Sequence, residues 1–188
     1  MTELDFTILD YIHSTFSCTF LDKVMPVITS LGNAGLVWIA AGVIMLFFKR
    51  YRKAGFTMLV GLLVGFLLGN LLIKNLVARP RPFELDPTIQ LLITAPTDRS
   101  FPSGHTLSSA CAATVLFRSR REIGKAIGIA AIVLACLIAF SRLYLQVHFP
   151  SDVLGGAAIG IAVGFFTFKA VNSVIDSKKK SHGKTSHS

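Results

Sequence analysis

Five apolar runs, separated by short polar and basic connections, decide what this chain of 188 residues can fold into. They extend over Leu31 to Phe48, Phe56 to Ile73, Thr106 to Phe117, Ala126 to Phe140 and Val153 to Val171, the third being the weakest. About 20 apolar residues coiled as a helix cross the ~30 Å hydrocarbon layer of a bilayer, and a helix satisfies its own backbone there. Composition points the same way. Hydrophobic residues make up 52% of the chain and charged residues 15%, too little charge to cover a soluble domain of this size. The reading is an all-α, polytopic transmembrane bundle of about five to six spans. One membrane-embedded domain occupies residues 1–172, followed by a basic tail, 173–188, whose Lys, Ser, His and Gly read as disordered and solvated.

The first 30 residues differ in character. Leu4, Ile8, Leu9, Ile12 and Phe16 fall at near-helical spacing, with Asp5, Asp10 and His13 off that face. The segment is too short to span and reads as an amphipathic helix lying at the interface. Its start lacks the basic region of a cleavable signal sequence, and none is expected. A span begins near Met25 or Pro26, with Gly32-Asn33 as a break. Cys18, Cys111 and Cys136 show no metal-ligand spacing and read as small packing residues.

Nineteen Lys and Arg against 10 Asp and Glu give a formal charge of +9. The basic residues cluster between apolar runs, as topology signals do, so nucleic acid is not an expected partner. With five spans, the loops at 49–53 and 118–125 and the tail share one side, which positive-inside counting makes cytoplasmic. The connections at 78–102 and 142–152 then face outward. Lys74, Arg79, Arg81, Arg99 and Arg142 lie on that outward side against the rule and require another explanation.

These exceptions fall into three groups: Lys74-x6-Arg81-Pro82, then Pro102-Ser103-Gly104-His105, then Ser141-Arg142-x5-His148-x3-Asp152. The topology puts all three at one membrane face. Two arginines and a lysine offer many donors, and the planar arginine fork suits phosphate oxygens. Ser103 and Gly104 precede a helix whose first N–H groups have no internal partner, an arrangement that receives anions. Two histidines can supply a nucleophile and a proton donor near neutral pH. Asp152, at the start of the fifth helix, can reach back to one ring nitrogen of His148 and leave the other free.

Residue types, spacing and chain order of the three groups resemble the signature motifs of the type 2 phosphatidic acid phosphatase (PAP2) superfamily. That superfamily includes lipid phosphate phosphatases, glucose-6-phosphatase and the vanadium haloperoxidases. The resemblance runs from Lys74 to Asp152; nothing before about Phe56 carries a motif. It implies His148 as nucleophile forming a phosphohistidine, Asp152 orienting it and His105 protonating the leaving group. It implies Lys74, Arg81 and Arg142 on the phosphoryl oxygens, with help from Ser103 and the Gly104 amide. Arg79 lies outside the strict pattern. Glu84 and Asp86 belong to no metal-ligand set, and neither a metal nor any other cofactor is expected. His13, His182 and His187 match no motif.

The implied substrate is a lipid phosphate, with membrane lipids as surroundings. The small chain, short loops and outward site resemble bacterial members; undecaprenyl diphosphate, exposed on that outer face after each cycle of wall synthesis, ranks first. Phosphatidate or phosphatidylglycerol phosphate is the alternative, and a soluble sugar phosphate a lesser one. Peroxidase chemistry on vanadate is disfavoured by the spans, and a non-enzymatic lipid-binding or transport protein by the intact motif set. Gly61, Gly65 and Gly69 and then Gly156, Gly160 and Gly164 form stripes of small residues, through which the second and fifth spans are expected to pack against each other.

Overall fold

The long apolar runs become helices, the arrangement that pairs backbone groups without water. The computed structural model describes residues 2–185, and these contain no strand. In chain order the helices are α1 (Thr2–Phe16), α2 (Thr19–Leu31), α3 (Leu36–Phe47) and α4 (Arg52–Gly65). A π-helical stretch, Phe66–Ile73, leads into α5 (Lys74–Val77), and then come α6 (Pro82–Leu85), α7 (Gly104–Arg118) and α8 (Arg120–Ile123). The chain closes with α9 (Lys125–Tyr144) and α10 (Pro150–Thr185).

By length and composition, Arg52–Leu85, Lys125–Tyr144 and Pro150–Ile175 can each cross a membrane. The α2–α3 pair qualifies when taken together, bent by 43° at the Gly32-Asn33 break. Among the described residues this gives up to four helices or bent pairs long and apolar enough to cross, against the expected five to six spans. The difference is α7, which corresponds to the weakest apolar run. Its 15 residues make a rod of about 22 Å, short of the ~30 Å core. It runs through the interior of the bundle from the Lys74 end to the loop at 49–53, where Arg50 donates to the Glu122 carbonyl just beyond it, and packs against α4, α9 and α10. Leu107, Cys111, Ala112, Val115 and Leu116 are all buried.

The second and fifth spans do touch, with Thr167 of α10 facing Gly61, but both glycine stripes are used chiefly against α7. A Cβ at Gly61 would meet Cys111 Sγ at 2.9 Å, and one at Gly65 would meet Leu107 Cδ2 at 2.8 Å. On the other side, a Cβ at Gly156 or Gly164 would come within 2.7 Å of the carbonyl oxygens of Ser103 or Cys111. The glycines thus let two longer helices close on the backbone and side chains of the short one between them.

Two further expectations change. In α1 the buried face carries Asp5, Leu9 and Ile12, while Leu4 and Ile8 are exposed. The inward face is rotated toward Asp5 because that carboxylate has partners inside, described below. The chain from 173 onward, read as a disordered tail, continues α10 to Thr185. Extending an existing helix needs no new nucleation, and no proline interrupts it. Residues 186–188 of the expected tail, including His187, lie outside the described residues.

Candidate active site

Three helix ends and two loops bring the motif residues together. The π-helical stretch widens the helix just before Lys74, a distortion common at functional sites. Ala78, in the left-handed region at φ 47°, ends α5 and turns the chain into Arg79-Pro80-Arg81-Pro82. His105 sits in the first turn of α7, Arg142 in the last turn of α9, and His148 in the short link before Pro150 opens α10. Lys74, Arg81, Gly104, His105, Arg142 and His148 line one cavity of about 520 Å³.

His148 is buried and held on both ring nitrogens. Its Nε2 lies 3.2 Å from Nη1 of Arg81. A guanidinium has no lone pair to offer, so this contact places the lone pair on Nε2 and the proton on Nδ1. Nδ1 faces Asp152 Oδ2 at 3.7 Å, beyond direct hydrogen-bond reach. The Ser100 hydroxyl fills the gap, 3.4 Å from Nδ1, and donates to Asp152 Oδ2 at 2.5 Å. That same oxygen accepts the Phe149 N–H at 2.9 Å. Burial, and then the positive charges of Arg81 and Arg142, push the His148 imidazole down to about 3 although Asp152 pulls the other way. At neutral pH the ring is an uncharged base with its free nitrogen toward the cavity.

The cradle is strongly cationic. Lys74, Arg81 and Arg142 are all at most 5% exposed. Arg81 donates from Nη1 to the Val147 carbonyl (2.6 Å), and the Asp98 carboxylate pairs with both Arg81 Nη2 (2.6 Å) and Lys74 Nζ. Arg142 donates from Nη1 to Thr29 Oγ1 at 2.5 Å. Its Nε is the buried side-chain nitrogen that finds no partner among the described residues. Such an atom is costly unless an oxygen meets it, and the cavity beside it suits an oxyanion. A Cβ at Gly104 would fall 3.0 Å from Asn70 Oδ1 and 3.6 Å from Lys74 Nζ, so glycine keeps the floor of this cradle open.

Ser103 departs from the expectation that it touches phosphate. It is fully buried and its hydroxyl caps α7, accepting from Thr106 N at 3.5 Å and Thr106 Oγ1 at 3.0 Å. It is not among the residues that line the cavity. Glu84 and Asp86 serve local turns: Glu84 accepts the Arg81 N–H at 2.6 Å, and Asp86 accepts from Thr88. His105 Nε2 lies 2.9 Å from Asn33 Oδ1, in the α2–α3 break. Sequence reasoning missed Thr29, Asn33, Asp98 and Ser100. Asn33 was visible only as the lone polar residue of its run, and Asp98-Arg99-Ser100 only as a charged patch before the second motif.

The family model described as the PAP2 superfamily matches residues 51–176, which contain all the motif residues. The chain belongs to the PAP2 superfamily. Among its PAP2-type relatives, the undecaprenyl-diphosphatase of Sulfolobus acidocaldarius is 38% identical over 132 residues, covering 70% of this chain and 62% of that one. This chain thus spans less than two thirds of that relative's length. Phosphatidylglycerophosphatase B of Bacillus subtilis is 35% identical over 170 residues, covering 83% of this chain and 77% of the relative. The crystal structure of a transmembrane PAP2-type phosphatidylglycerolphosphate phosphatase from Bacillus subtilis shares the fold, with a TM-score of 0.73 at 30% identity. That likeness covers 94% of this chain and 86% of the other. With its candidate spans, this chain is a membrane PAP2 protein.

The PAP2 match starts after α3, yet Thr29 and Asn33 reach the cavity from before it. A second cavity of about 590 Å³ shares Lys74, Asp98, Gly104 and His105 with the first. Ile39 of α3 and Leu59, Leu62, Leu63 and Phe66 of α4 and the π-helical stretch line it. The cationic cradle therefore opens into an apolar groove along the bundle.

Proposed function

We propose that this protein is a lipid phosphate phosphatase that transfers the phosphoryl group first to His148 and then to water. One observation carries the reading: the Nε2 lone pair of His148 faces Arg81 in a cavity shared with Lys74 and Arg142, and that cavity opens into an apolar groove. A phosphate bound by three fixed cations and a lipid chain in the groove account for both halves.

In the first step Nε2 attacks phosphorus, and the bond to the leaving oxygen breaks. His105, oriented by Asn33, gives that oxygen a proton from its imidazolium form; the bound phosphate anion restores that form against the burial and the Arg142 charge that by themselves push His105 down to about 3. The three cations hold the charge on the equatorial oxygens, as preorganised donors do in phosphoryl transfer. In the second step water gives a proton to His105, and its oxygen attacks the phosphohistidine. The P–N bond breaks and inorganic phosphate leaves. No step calls on a metal.

Undecaprenyl diphosphate is the first-ranked substrate, in keeping with the named activity of the Sulfolobus acidocaldarius relative. The likeness to the Bacillus subtilis phosphatidylglycerophosphatase favours phosphatidylglycerol phosphate as the second reading, with phosphatidate in the same class. The site faces outward and the end of α10 lies in the cytoplasm, on the distribution of basic loops. The test is phosphate release in detergent with EDTA, comparing undecaprenyl diphosphate, phosphatidylglycerol phosphate and phosphatidate for wild type and His148→Ala. Wild type releases phosphate from at least one, and the variant falls below about one-thousandth of that rate. Release by the variant at the wild-type rate overturns the mechanism; no release by wild type overturns the function.

A further inference from the structure

Arg79 is a basic residue on the catalytic side that does not line the cavity. Its guanidinium is nonetheless engaged through both terminal nitrogens. Nη1 donates to Asp152 Oδ1 and to Ser151 Oγ, both at 2.6 Å, and Nη2 donates to Asp5 Oδ2 at 2.7 Å. Its plane lies over the Phe149 ring, 4.2 Å from the centroid. Asp5 comes from α1, and it also accepts from Ser151 N at 3.0 Å and Ser151 Oγ at 2.7 Å. Phe6, its neighbour, meets the edge of Phe149 at 5.1 Å.

The chain of contacts therefore runs Asp5, Arg79, Asp152, His148. Asp152 is wholly buried, and a buried carboxylate survives only when its oxygens are paired. Ser100 and the Phe149 amide take Oδ2, and Arg79 takes Oδ1. With Oδ1 fixed, the carboxylate cannot turn, and Oδ2 stays on the side of His148. Arg79 also balances the Asp152 charge, so the aspartate pulls less strongly on a proton at His148. The titratable and charged groups facing His148 are Arg81, Arg142, Asp152 and His105; those facing Arg79 are Asp5 and Asp152.

We infer that Arg79 is a positioning residue, held by Asp5 of α1, that locks the Asp152 carboxylate against His148 and so makes the N-terminal helix a working part of the catalytic site. This rests on the reading of His148 as nucleophile. Two consequences separate it from phosphate binding. Loss of Arg79 lowers kcat and leaves KM alone, since the guanidinium stands outside the cavity. It also lets Asp152 hold a proton on His148 more strongly, so the acid limb of kcat/KM moves to higher pH.

The experiment uses the full chain in detergent, with dioctanoyl phosphatidate as probe and EDTA present. Wild type, Arg79→Gln, Arg79→Lys, Asp5→Asn, the double variant Asp5→Asn/Arg79→Gln and His148→Ala are compared. Arg79→Gln loses about 10- to 100-fold in kcat with KM within about twofold. Its acid limb rises, and Arg79→Lys recovers part of both effects. Asp5→Asn shows the same signature in weaker form. The double variant is no worse than Arg79→Gln alone, because Asp5 acts through Arg79. Unchanged kcat, a rise in KM alone, or additive losses in the double variant overturn the inference. Equal thermal midpoints of wild type and Arg79→Lys keep the comparison independent of folding. Full activity of His148→Ala would remove the underlying reading instead, whatever Arg79 does.

Discussion

Arg81 and Asp98 meet twice: the Asp98 carboxylate accepts from Arg81 Nη2 at 2.6 Å, and its main-chain carbonyl accepts from Nε at 2.7 Å. Because the same carboxylate pairs with Lys74, an anion supplied by the chain itself occupies two of the three cradle cations. A phosphoryl group entering this seat must displace it. Burial alone would raise the carboxyl pKa, but the hydrogen bonds and charges of Lys74 and Arg81 outweigh burial and bring it down to about 2. Asp98 thus competes as a full charge throughout any practical assay range. Its side chain is 55% exposed, so it can swing into solvent without unfolding the site.

Asp98→Asn removes the competing charge and keeps the size. Inorganic phosphate, a competitive inhibitor in the proposed reaction, should bind the variant about 3- to 10-fold more tightly, up to about 1.4 kcal/mol. Asp98→Glu should stay near wild type. Inhibition constants measured at neutral pH decide the matter. Weaker phosphate binding in Asp98→Asn would mean that the carboxylate shapes the cradle rather than blocks it.

Protonation of His148 gives a second prediction. An imidazole pushed down to about 3 stays neutral in the folded protein as pH falls through 6.5. The rate of phosphorylation therefore loses nothing on account of His148 until pH nears 3. Stability behaves otherwise. The unfolded chain takes up a proton on this histidine near its ordinary 6.5, while the folded chain does not, so falling pH favours unfolding between 6.5 and about 3. Asp98, lowered from 3.8 to about 2, acts in the same direction over that narrower window. Thermal unfolding in detergent from pH 7 to pH 4 should show a falling midpoint, with a shallower fall in His148→Gln. Equal slopes would place the pH sensitivity elsewhere.

The residues proposed to meet phosphate were legible because their chemistry allows few substitutes. A cradle for an oxyanion calls for arginine, lysine and a helix start, and those types recur at fixed spacing from Lys74 to Asp152. The residues that hold them were not. Asn33 and His105 are 72 positions apart, Thr29 and Arg142 113, and Asp5 and Ser151 146. A short polar side chain in an apolar or mixed segment carries no periodic mark of its distant partner. The apolar runs gave the helices but not their packing: nothing in Thr106 to Phe117 says that α7 is the short helix at the centre. The glycine stripes announced close contact, yet the identity of the opposing helix depends on that length. On α1, the hydrophobic pattern favoured Leu4 over Asp5, and one partly buried ion pair with Arg79 reversed the choice.

The packing of α10 on α7 leads to a third prediction. A Cβ at Gly160 would press on the Leu107 carbonyl oxygen and lie 2.9 Å from the Ala110 Cβ. Backbone cannot step aside as a flexible side chain can. Gly160→Ala should force the helices apart, at a cost of about 1 to 3 kcal/mol as in overpacked cores. Gly61→Ala meets only Cys111 Sγ and the more distant Thr167, and should cost less. Thermal midpoints and the yield of monodisperse protein in detergent compare the two. An equal loss in both would mean that both glycine stripes press on the bundle alike, whatever atom faces them.

Asn33 supplies the last prediction. Its Oδ1 pairs with His105 Nε2, and it sits where α2 bends into α3. If His105 protonates the leaving oxygen, the loss from misplacing it depends on how much help that oxygen needs. An alkyl leaving group is a poor one and relies on the proton, whereas a nitrophenolate leaves with little assistance. Asn33→Ala should therefore lower kcat/KM by about 10- to 100-fold on dioctanoyl phosphatidate and by less than about threefold on 4-nitrophenyl phosphate. His105→Ala should show the same split with a larger alkyl loss. An equal fall on both substrates would place Asn33 and His105 in binding rather than proton transfer. In that case the protonation of the leaving group would have to come from solvent at the mouth of the groove.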